Sequence, residues 1–199
     1  MKFNRSSGII LHPSSLPGPD GIGDLGPEAY RWVNFLEETG TRLWQVLPLG
    51  PTGYGDSPYQ CFSAFAGNPY LISPALLQEE GLLKRTDFTD RPEFPDEKVE
   101  YGEVINWKLT ILDRAYANFS KSPKPALLAD YVHFKADNSF WLPDFALFMA
   151  IKEANGGVSW EHWPKPLRKR DSKVLETFSK TEANAIERHT FRQFLFYRQ

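Results

Sequence analysis

The first fifty residues combine two short apolar runs with one helical pattern between them. The runs 8–12 and 42–49 are nearly continuously apolar, which predicts two buried strands. Between residues 27 and 40 the apolar positions recur at helical spacing, after a proline and before a glycine, which predicts a helix. Parallel strands covered by helices are typically apolar on both faces, so we expect one right-handed βαβ unit. The apolar face of the helix carries Ala29, Trp32, Val33 and Leu36.

The pattern changes after residue 49. Residues 50–74 are rich in glycine, proline, serine and aromatic side chains and show no sustained period, and loops of this length are often functional. From Pro74 onward the apolar spacing predicts only helices. The longest amphipathic stripe consists of Val104, Ile105, Leu109, Leu112, Tyr116 and Phe119, and the predicted helical segments are 75–80, 104–119, 127–135, 145–154 and 172–199.

Two features of this pattern are typical of part of a longer protein. A parallel sheet of two strands is too small to be stable alone, and no candidate for a third strand follows. The last helical pattern continues to Gln199 without a glycine, a proline or a polar tail. We therefore expect the chain to be a fragment.

The composition disfavours several kinds of partner. A formal net charge of -2 argues against a nucleic-acid partner, because such proteins carry a clustered positive excess. No apolar run is long enough to span a bilayer, and residues 1–7 lack the apolar core of a secretory signal. We therefore expect no membrane partner and a cytoplasmic location. The single cysteine, Cys61, excludes an intramolecular disulfide, and no histidine pair or cysteine cluster has the spacing of a metal site.

Residues 21–26 match the dinucleotide-binding fingerprint G-x-G-x-x-G between a strand and a helix. The context disfavours a nucleotide-dependent oxidoreductase. Residues 13–20, with three prolines, separate the strand from the first glycine, and the second strand lacks the expected acidic residue at its end. The glycines are better explained as shaping a loop over the edge of the sheet.

Residues 51–60 form the segment with the clearest chemical character. They directly follow the second predicted strand, at the sheet edge where α/β proteins place ligands. Tyrosine rings can stack on sugar faces, while a carboxylate and an amide bond to hydroxyl groups. The residue types fit a polyhydroxylated ligand, and they fit equally an ordered loop whose tyrosines pack on neighbouring helices. The side chains concerned are Tyr54, Asp56, Ser57, Tyr59 and Gln60.

A family resemblance adds to this interpretation. The continuous run from Trp44 to Gln60, followed by Phe62 to Tyr70, resembles the signature of the amylomaltases, the 4-α-glucanotransferases (disproportionating enzymes) of glycoside hydrolase family 77. The resemblance covers essentially the whole chain. Further blocks that resemble the family, in the same order, are 11–18, 21–26, 141–150, 163–168 and 191–199.

The resemblance implies an α/β fold that is part of a TIM (β/α)8 barrel. The first βαβ unit would be followed by a large helical insertion, and the chain would stop before the remaining strands. It implies three segments: 1–73 with the first barrel strands, helix and substrate loop, 74–171 as the helical insertion, and 172–199 leading back to the barrel.

The resemblance also implies the activity. Family members transfer α-1,4-glucan segments between maltodextrins with retention of configuration, through a covalent glycosyl-enzyme, and need no cofactor. Retention requires an aspartate nucleophile and a glutamate acid/base about 5 Å apart. In the family these groups follow later barrel strands, so no catalytic residue is assigned here. The alternative is a non-catalytic glucan-binding module or an inactive truncation.

Five candidate substrate-binding residues follow from the resemblance. Tyr59 resembles the family tyrosine beside the sugar at the cleavage point, while Tyr54 and Tyr101 resemble aromatic residues of a second glucan-contacting groove. Asp56 would fix its loop or bind a sugar hydroxyl, and Ser57 is a further candidate. For Tyr101, packing within the helical region is an equally good explanation.

Other polar residues near the loop have structural explanations. His12 could face a ligand or be a hydrogen-bonded core histidine. Cys61 has no assignable base and is better explained as a buried small side chain. A retaining pair built from Asp20, Asp24 and Asp56 is conceivable, but these positions do not match the catalytic residues of the family.

Overall fold

The computed structural model describes residues 5–199, and at Tyr54 it describes the backbone alone. Within the described residues, strands β1 (Gly8–Ile10) and β2 (Leu43–Gln45) form a two-stranded parallel sheet. Ile9 lies opposite Trp44 in the register, and helix α1 (Pro27–Glu38) connects the two strands. The predicted order of strand, helix and strand is confirmed.

The prediction that both strands are buried is wrong, and each strand is shorter than its apolar run. The side chains of Ile10 and Leu43 are 65% and 50% exposed, and Val33 of α1 is also exposed. The apolar pattern shows that both faces of each strand are suited to burial, but a parallel sheet is buried only when further layers cover it. Among the described residues no third strand pairs with this sheet.

The remaining helices agree with the predicted segments to within a few residues, apart from the last one and from the one-turn helix Lys165–Arg168, which was not predicted. Five helices have a proline in the first turn, where the missing N–H costs no hydrogen bond. No helix among residues 5–199 is long and apolar enough to cross a bilayer. The helices after β2 are α2 (Pro74–Glu79), α3 (Tyr101–Lys121), α4 (Pro125–Asp137), α5 (Leu142–Ala154), α6 (Lys165–Arg168), α7 (Ser172–Thr181) and α8 (Ala183–Arg198).

The single last helix predicted from residue 172 is wrong, because the chain breaks at Glu182 into α7 and α8. Near the break, the hydroxyls of Thr177 and Thr181 donate to backbone carbonyls one turn earlier in α7. Such back-bonding and β-branching both weaken a helix interior. The apolar spacing runs through the break and therefore could not reveal it.

The chain divides into two compact units. The first comprises the residues up to Pro123 together with Leu195–Gln199, and the second comprises Lys124–Phe194. These bounds differ from the three segments 1–73, 74–171 and 172–199, which describe an expected relation to a whole barrel and stay a prediction.

The core of the first unit is built on α3. Four residues of the predicted stripe are buried, namely Val104, Leu112, Tyr116 and Phe119, whereas Ile105 and Leu109 are half-buried. Trp107, Lys108 and Ile111 are buried in addition. The stripe packs against the short 3-10 turn at residues 69–71 and against α2. The fully buried apolar side chains of this unit include Leu71, Ile72, Leu77, Val104, Ile111 and Leu112.

Lys108 places a charged group inside this core, at a position of the stripe where the neighbouring turns carry apolar side chains. Its side chain is 0% exposed. Its Nζ donates to Asp24 Oδ2 at 3.1 Å and to the backbone carbonyl of Ile72 at 2.9 Å. A buried ammonium group is tolerated only when it is paired and hydrogen-bonded, and both conditions are met here.

In the second unit, aromatic side chains of α4 and α8 form the core together with a polar cluster. The Tyr131 ring lies 5.7 Å from that of Phe191, and its hydroxyl donates to Glu187 at 2.7 Å. Glu153 on α5 bonds to His189 at 2.8 Å and pairs with Arg188. These partners outweigh partial burial and lower the pKa of Glu153 to about 2, with the His189 hydrogen bond as the largest cause.

We expect Lys108→Met to destabilise the chain by about 3–5 kcal/mol, because the substitution leaves Asp24 unpaired in a largely buried position. Urea unfolding measures this change. The double variant with Asp24→Asn should recover a large part of the loss, since no unpaired charge remains. Equal destabilisation by the single and double variants would contradict the pairing.

We expect Glu153→Gln to destabilise the chain at neutral pH and to lose this effect in acid. The folded pKa of about 2 lies below the ordinary value of 4.5, so the carboxylate stabilises above pH 4.5 and the stabilisation disappears as the pH falls towards 2. Thermal unfolding of both proteins from pH 7 to acid gives the difference. The control is Glu176→Gln, whose exposed pair with Lys180 should contribute little at any pH.

Candidate functional site

Backbone and side-chain hydrogen bonds fix both ends of the loop that follows β2. Trp44 Nε1 donates to the carbonyl of Leu11 at 2.7 Å and so joins the ends of the two strands. At the far end, the amide of Asn68 donates to the carbonyl of Leu49 at 2.7 Å. The two ends of the loop, at Leu49 and Asn68, are therefore held together a few residues after the end of β2.

Within this loop, residues 52–61 form a closed hairpin. Thr52 and Cys61 make an isolated antiparallel bridge. The Cys61 thiol donates to the carbonyl of Pro58 at 2.9 Å, and the amide of Tyr59 donates to Ser57 Oγ at 3.3 Å. Cys61 is half-buried, which corrects the prediction of a buried side chain, and its hydrogen bond fixes the turn that carries Ser57 and Tyr59.

Two consecutive residues of the hairpin adopt left-handed backbone angles. Gly55 has φ 67° and Asp56 has φ 53°. The conformation costs glycine little, whereas a side chain makes it unfavourable by about 1–2 kcal/mol, least of all for asparagine and aspartate. The turn therefore accepts Asp56 at some cost and presents its half-buried carboxylate next to Ser57.

The start of α3 lies close to this turn. Tyr101, its first residue, is half-buried, and its pKa is raised by burial and by the nearby carboxylate of Asp56, with the Ser14 side chain opposing the rise. The hairpin, the 3-10 turn Pro13–Ser15 after β1 and the N-terminus of α3 thus meet at one place.

His12 precedes that turn and has a structural role. Its Nδ1 accepts the amide of Ser14 at 3.2 Å and lies 2.7 Å from Ser14 Oγ, so in the neutral ring the proton is on Nε2. Burial lowers the pKa of His12, and the carbonyl of Pro48 partly opposes this effect. The ring is therefore uncharged at neutral pH and orients Ser14 toward Tyr101.

The structure brings together some of the five candidate residues. Asp56 and Tyr101 interact electrostatically, and Ser57 and Tyr59 share one turn. The Tyr59 ring is 72% exposed and available for a ligand. The side chain of Tyr54 lies outside the described residues.

Asp20 and Asp24 are engaged elsewhere, in the interior of the first unit. Asp20 accepts the Trp107 indole N–H at 2.8 Å, and Asp24 pairs with Lys108 and accepts the amide of Gly26 at 3.0 Å. A retaining pair made from these groups and Asp56 therefore has no support in the geometry. Among residues 5–199, no group of three or more histidine, cysteine or acidic side chains is placed to hold a metal.

The glycine-rich segment 21–26 packs tightly and leaves no space for a pyrophosphate. A Cβ on Gly23 would lie 2.1 Å from the carbonyl of Pro13. At the N-terminus of α1, the Gly26 amide is taken by the Asp24 carboxylate, which would repel a phosphate. The glycines allow close packing of the loop, as the sequence indicated.

Sequence reasoning missed three contributors to this region, namely Ser14, Trp107 and Lys108. Lys108 lies four residues after Val104 and four before Leu112, within the apolar stripe of α3. That spacing was the available signal. Ser14 and Tyr101 are 87 residues apart in sequence, and no local pattern predicts their approach.

Comparisons of the sequence and of the fold with known proteins give consistent matches. A family model described as 4-alpha-glucanotransferase matches residues 11–199. The chain is 49% identical to a 4-alpha-glucanotransferase of Thermus thermophilus and 43% identical to one of Synechocystis, over 100% of this chain and 39% of each relative. An amylomaltase from Streptococcus agalactiae, solved in complex with acarbose, matches with TM-score 0.91 and 38% identity, over 98% of this chain and 39% of that one. The chain thus spans about two fifths of the length of these relatives.

We expect Asp56→Asn to lower the pKa of Tyr101 toward its ordinary value of 10.0, without reaching it, because burial is the larger cause of the rise. NMR titration of 13C-labelled tyrosine, with the resonance assigned by Tyr101→Phe, measures the shift. The control variant is Asp96→Asn at an exposed position. An unchanged Tyr101 pKa in Asp56→Asn would show that the two groups do not interact.

Proposed function

The chain belongs to the 4-alpha-glucanotransferases of glycoside hydrolase family 77, and we propose that it forms the N-terminal wall of the glucan site in a longer enzyme. The observation that carries this proposal is the closed hairpin, which holds exposed Tyr59 in the same turn as Ser57 and beside Asp56. An amylomaltase that shares this fold was solved with acarbose, which supports a saccharide as the ligand.

In this proposal β1, α1 and β2 are the first βαβ unit of a (β/α)8 barrel. The parallel pairing of β1 and β2 supports it, as does the TM-score of 0.91 with the amylomaltase. The exposed apolar side chains of Ile10 and Leu43 are also consistent with strands that need further layers. The helices from residue 74 to residue 171 would be an insertion between barrel strands.

The proposed reaction transfers α-1,4-glucan segments between maltodextrins with retention of configuration. Retention needs two carboxyl groups about 5 Å apart, one as nucleophile and one as acid/base. We place both in the part of the enzyme that corresponds to the uncovered length of the relatives. In support, Asp20 and Asp24 are engaged with Trp107 and Lys108 in the interior.

The residues of this chain would bind and orient the glucan. The exposed face of Tyr59 would stack on a glucosyl ring, and Ser57 and Asp56 would bond to its hydroxyl groups. Tyr101, with Tyr54, would contact a second stretch of the glucan. The raised pKa keeps the Tyr101 phenol protonated and able to donate a hydrogen bond. The cytoplasmic location stays a prediction.

We expect Tyr59→Ala to weaken maltoheptaose binding by roughly five- to tenfold, because a stacked ring contributes about 1 kcal/mol or more. Isothermal titration calorimetry of the chain measures the affinity. The matched control is Tyr30→Ala, another exposed tyrosine of the first unit, on α1 and outside the hairpin. Equal affinities of wild type and Tyr59→Ala would contradict the proposed role.

Incubation with maltotriose separates the enzyme from a binding module. We expect this chain to release no glucose and form no longer oligosaccharides, and the full-length gene product to do both. Redistribution by the chain alone would overturn the placement of the carboxyl groups elsewhere. Binding without redistribution by the full-length product would favour the non-catalytic module.

A further inference from the structure

The first unit contains a cleft that lies apart from the hairpin. It has a volume of about 570 Å³, within the range of about 300–1,000 Å³ usual for small-molecule sites. Its polar and aromatic lining combines one buried carboxylate with several donors and one ring, contributed by Asp20, Gln78, Arg85, Thr86, Phe88 and Arg91.

The buried carboxylate of Asp20 is the unusual feature of this cleft. Asp20 is 3% exposed, and its Oδ1 accepts the Trp107 indole N–H at 2.8 Å. Arg91 faces the same oxygen at 3.9 Å, too far for a hydrogen bond. Among the described residues no hydrogen bond reaches Oδ2, although a buried carboxylate ordinarily accepts several. Oδ2 is not among the fully enclosed side-chain atoms that lack a partner in the described part of the chain, so it borders open space and can accept a hydrogen bond from a bound molecule.

The rim of the cleft carries unused donors. Within residues 5–199, the side chains of Gln78 and Arg85 make no hydrogen bond or ion pair with another residue. Arg91 is 35% exposed at its side chain and can turn toward a ligand. The cleft thus offers one strong acceptor and several donors.

One wall of the cleft is aromatic and rigidly held. The Phe88 ring lies 6.4 Å from the ring of Trp107, the same side chain that donates to Asp20. Trp107 is buried in the core stripe of α3. The cleft is therefore lined by the apolar ring of Phe88 and by the carboxylate of Asp20, both of which contact Trp107.

From this combination we propose that the cleft binds a glucosyl unit, as a second saccharide site distinct from the hairpin. Sugar hydroxyls donate and accept, so one glucosyl unit can bond to Asp20, Gln78 and Arg85 while its C–H face packs on a ring. A phosphate ester would pair with Arg85 and Arg91 but would hold its charge against the carboxylate of Asp20, so a neutral ligand that both donates and accepts matches more of the lining. The choice of glucose among sugars rests on the proposed function of the chain.

The indole N–H resonance of Trp107 is a direct reporter of this cleft, since that group donates to Asp20. The test is a titration of maltotriose into the 15N-labelled chain, with the resonance assigned by the variant Trp107→Phe. We expect a saturable shift of Trp107 and of the amides of residues 86–91, with Trp163 of the second unit unchanged. The double variant Gln78→Ala, Arg85→Ala should weaken binding at these resonances by about fivefold or more. These two side chains have no internal partners, so folding should be unaffected.

Two control variants and a second ligand distinguish the possible outcomes of this titration. The adjacent variant Glu79→Ala should bind as wild type does, and Tyr59→Ala should leave the Trp107 shift intact. Shifts confined to the amides of residues 56–61 would overturn the cleft and leave the proposed function standing. Shifts at Trp107 without any at residues 56–61 would support the cleft and count against the hairpin. A stronger response of Trp107 to inorganic phosphate than to maltotriose, abolished by Arg85→Ala, would replace the saccharide with an anion.

Discussion

The ammonium group of Lys108, buried in the middle of α3, is the interaction on which the first unit depends. A charge with no exposure must be neutralised, and here Asp24 and the carbonyl of Ile72 do so. Asp24 lies before α1 and Ile72 lies just before α2. One side chain thus ties α3 to both segments. The preceding residue, Trp107, adds a bond to Asp20, so two successive side chains of α3 hold two aspartates of one loop.

The same helix links the interior to the candidate glucan surface. Tyr101 begins α3 seven residues before Lys108, or roughly 10 Å along the axis. Because the helix is anchored at Trp107 and Lys108, the position of Tyr101 relative to Asp56 and Ser14 is set by the core. The cleft beside Phe88 depends on the same anchor through Trp107. Tyr101 is therefore carried by a rigid element, and the cleft is held against the same helix through Trp107, which favours precise binding.

Local patterns predicted most helices, because a helix is specified by spacing and by prolines at its start, as at Pro74 and Pro125. They did not predict the exposure of Ile10 and Leu43, since apolar spacing does not say what covers a strand. They did not predict the break at Glu182 either, because the apolar spacing continues through it and takes no account of the threonine hydroxyls that bond to the backbone beside it.

The candidate site shows the same division between local and long-range information. Asp56, Ser57 and Tyr59 could be named as candidates because they lie close together in one distinctive loop. The environment of Tyr101 could not be predicted, because Ser14 and Asp56 approach it from distant parts of the sequence. The burial of Lys108 was signalled only by its spacing within the apolar stripe of α3, because lysine is ordinarily an exposed residue.

The central claim is that α3, anchored by Lys108, and the hairpin 52–61 together present a surface for an α-glucan. A crystal structure of the chain with maltoheptaose tests it most directly. We expect a glucosyl ring stacked on Tyr59, with a hydroxyl bonded to Asp56 and the Lys108–Asp24 pair intact behind them. A saccharide bound away from both Tyr59 and Tyr101, or a hairpin rearranged so that Asp56 no longer lies near Tyr101, would contradict it.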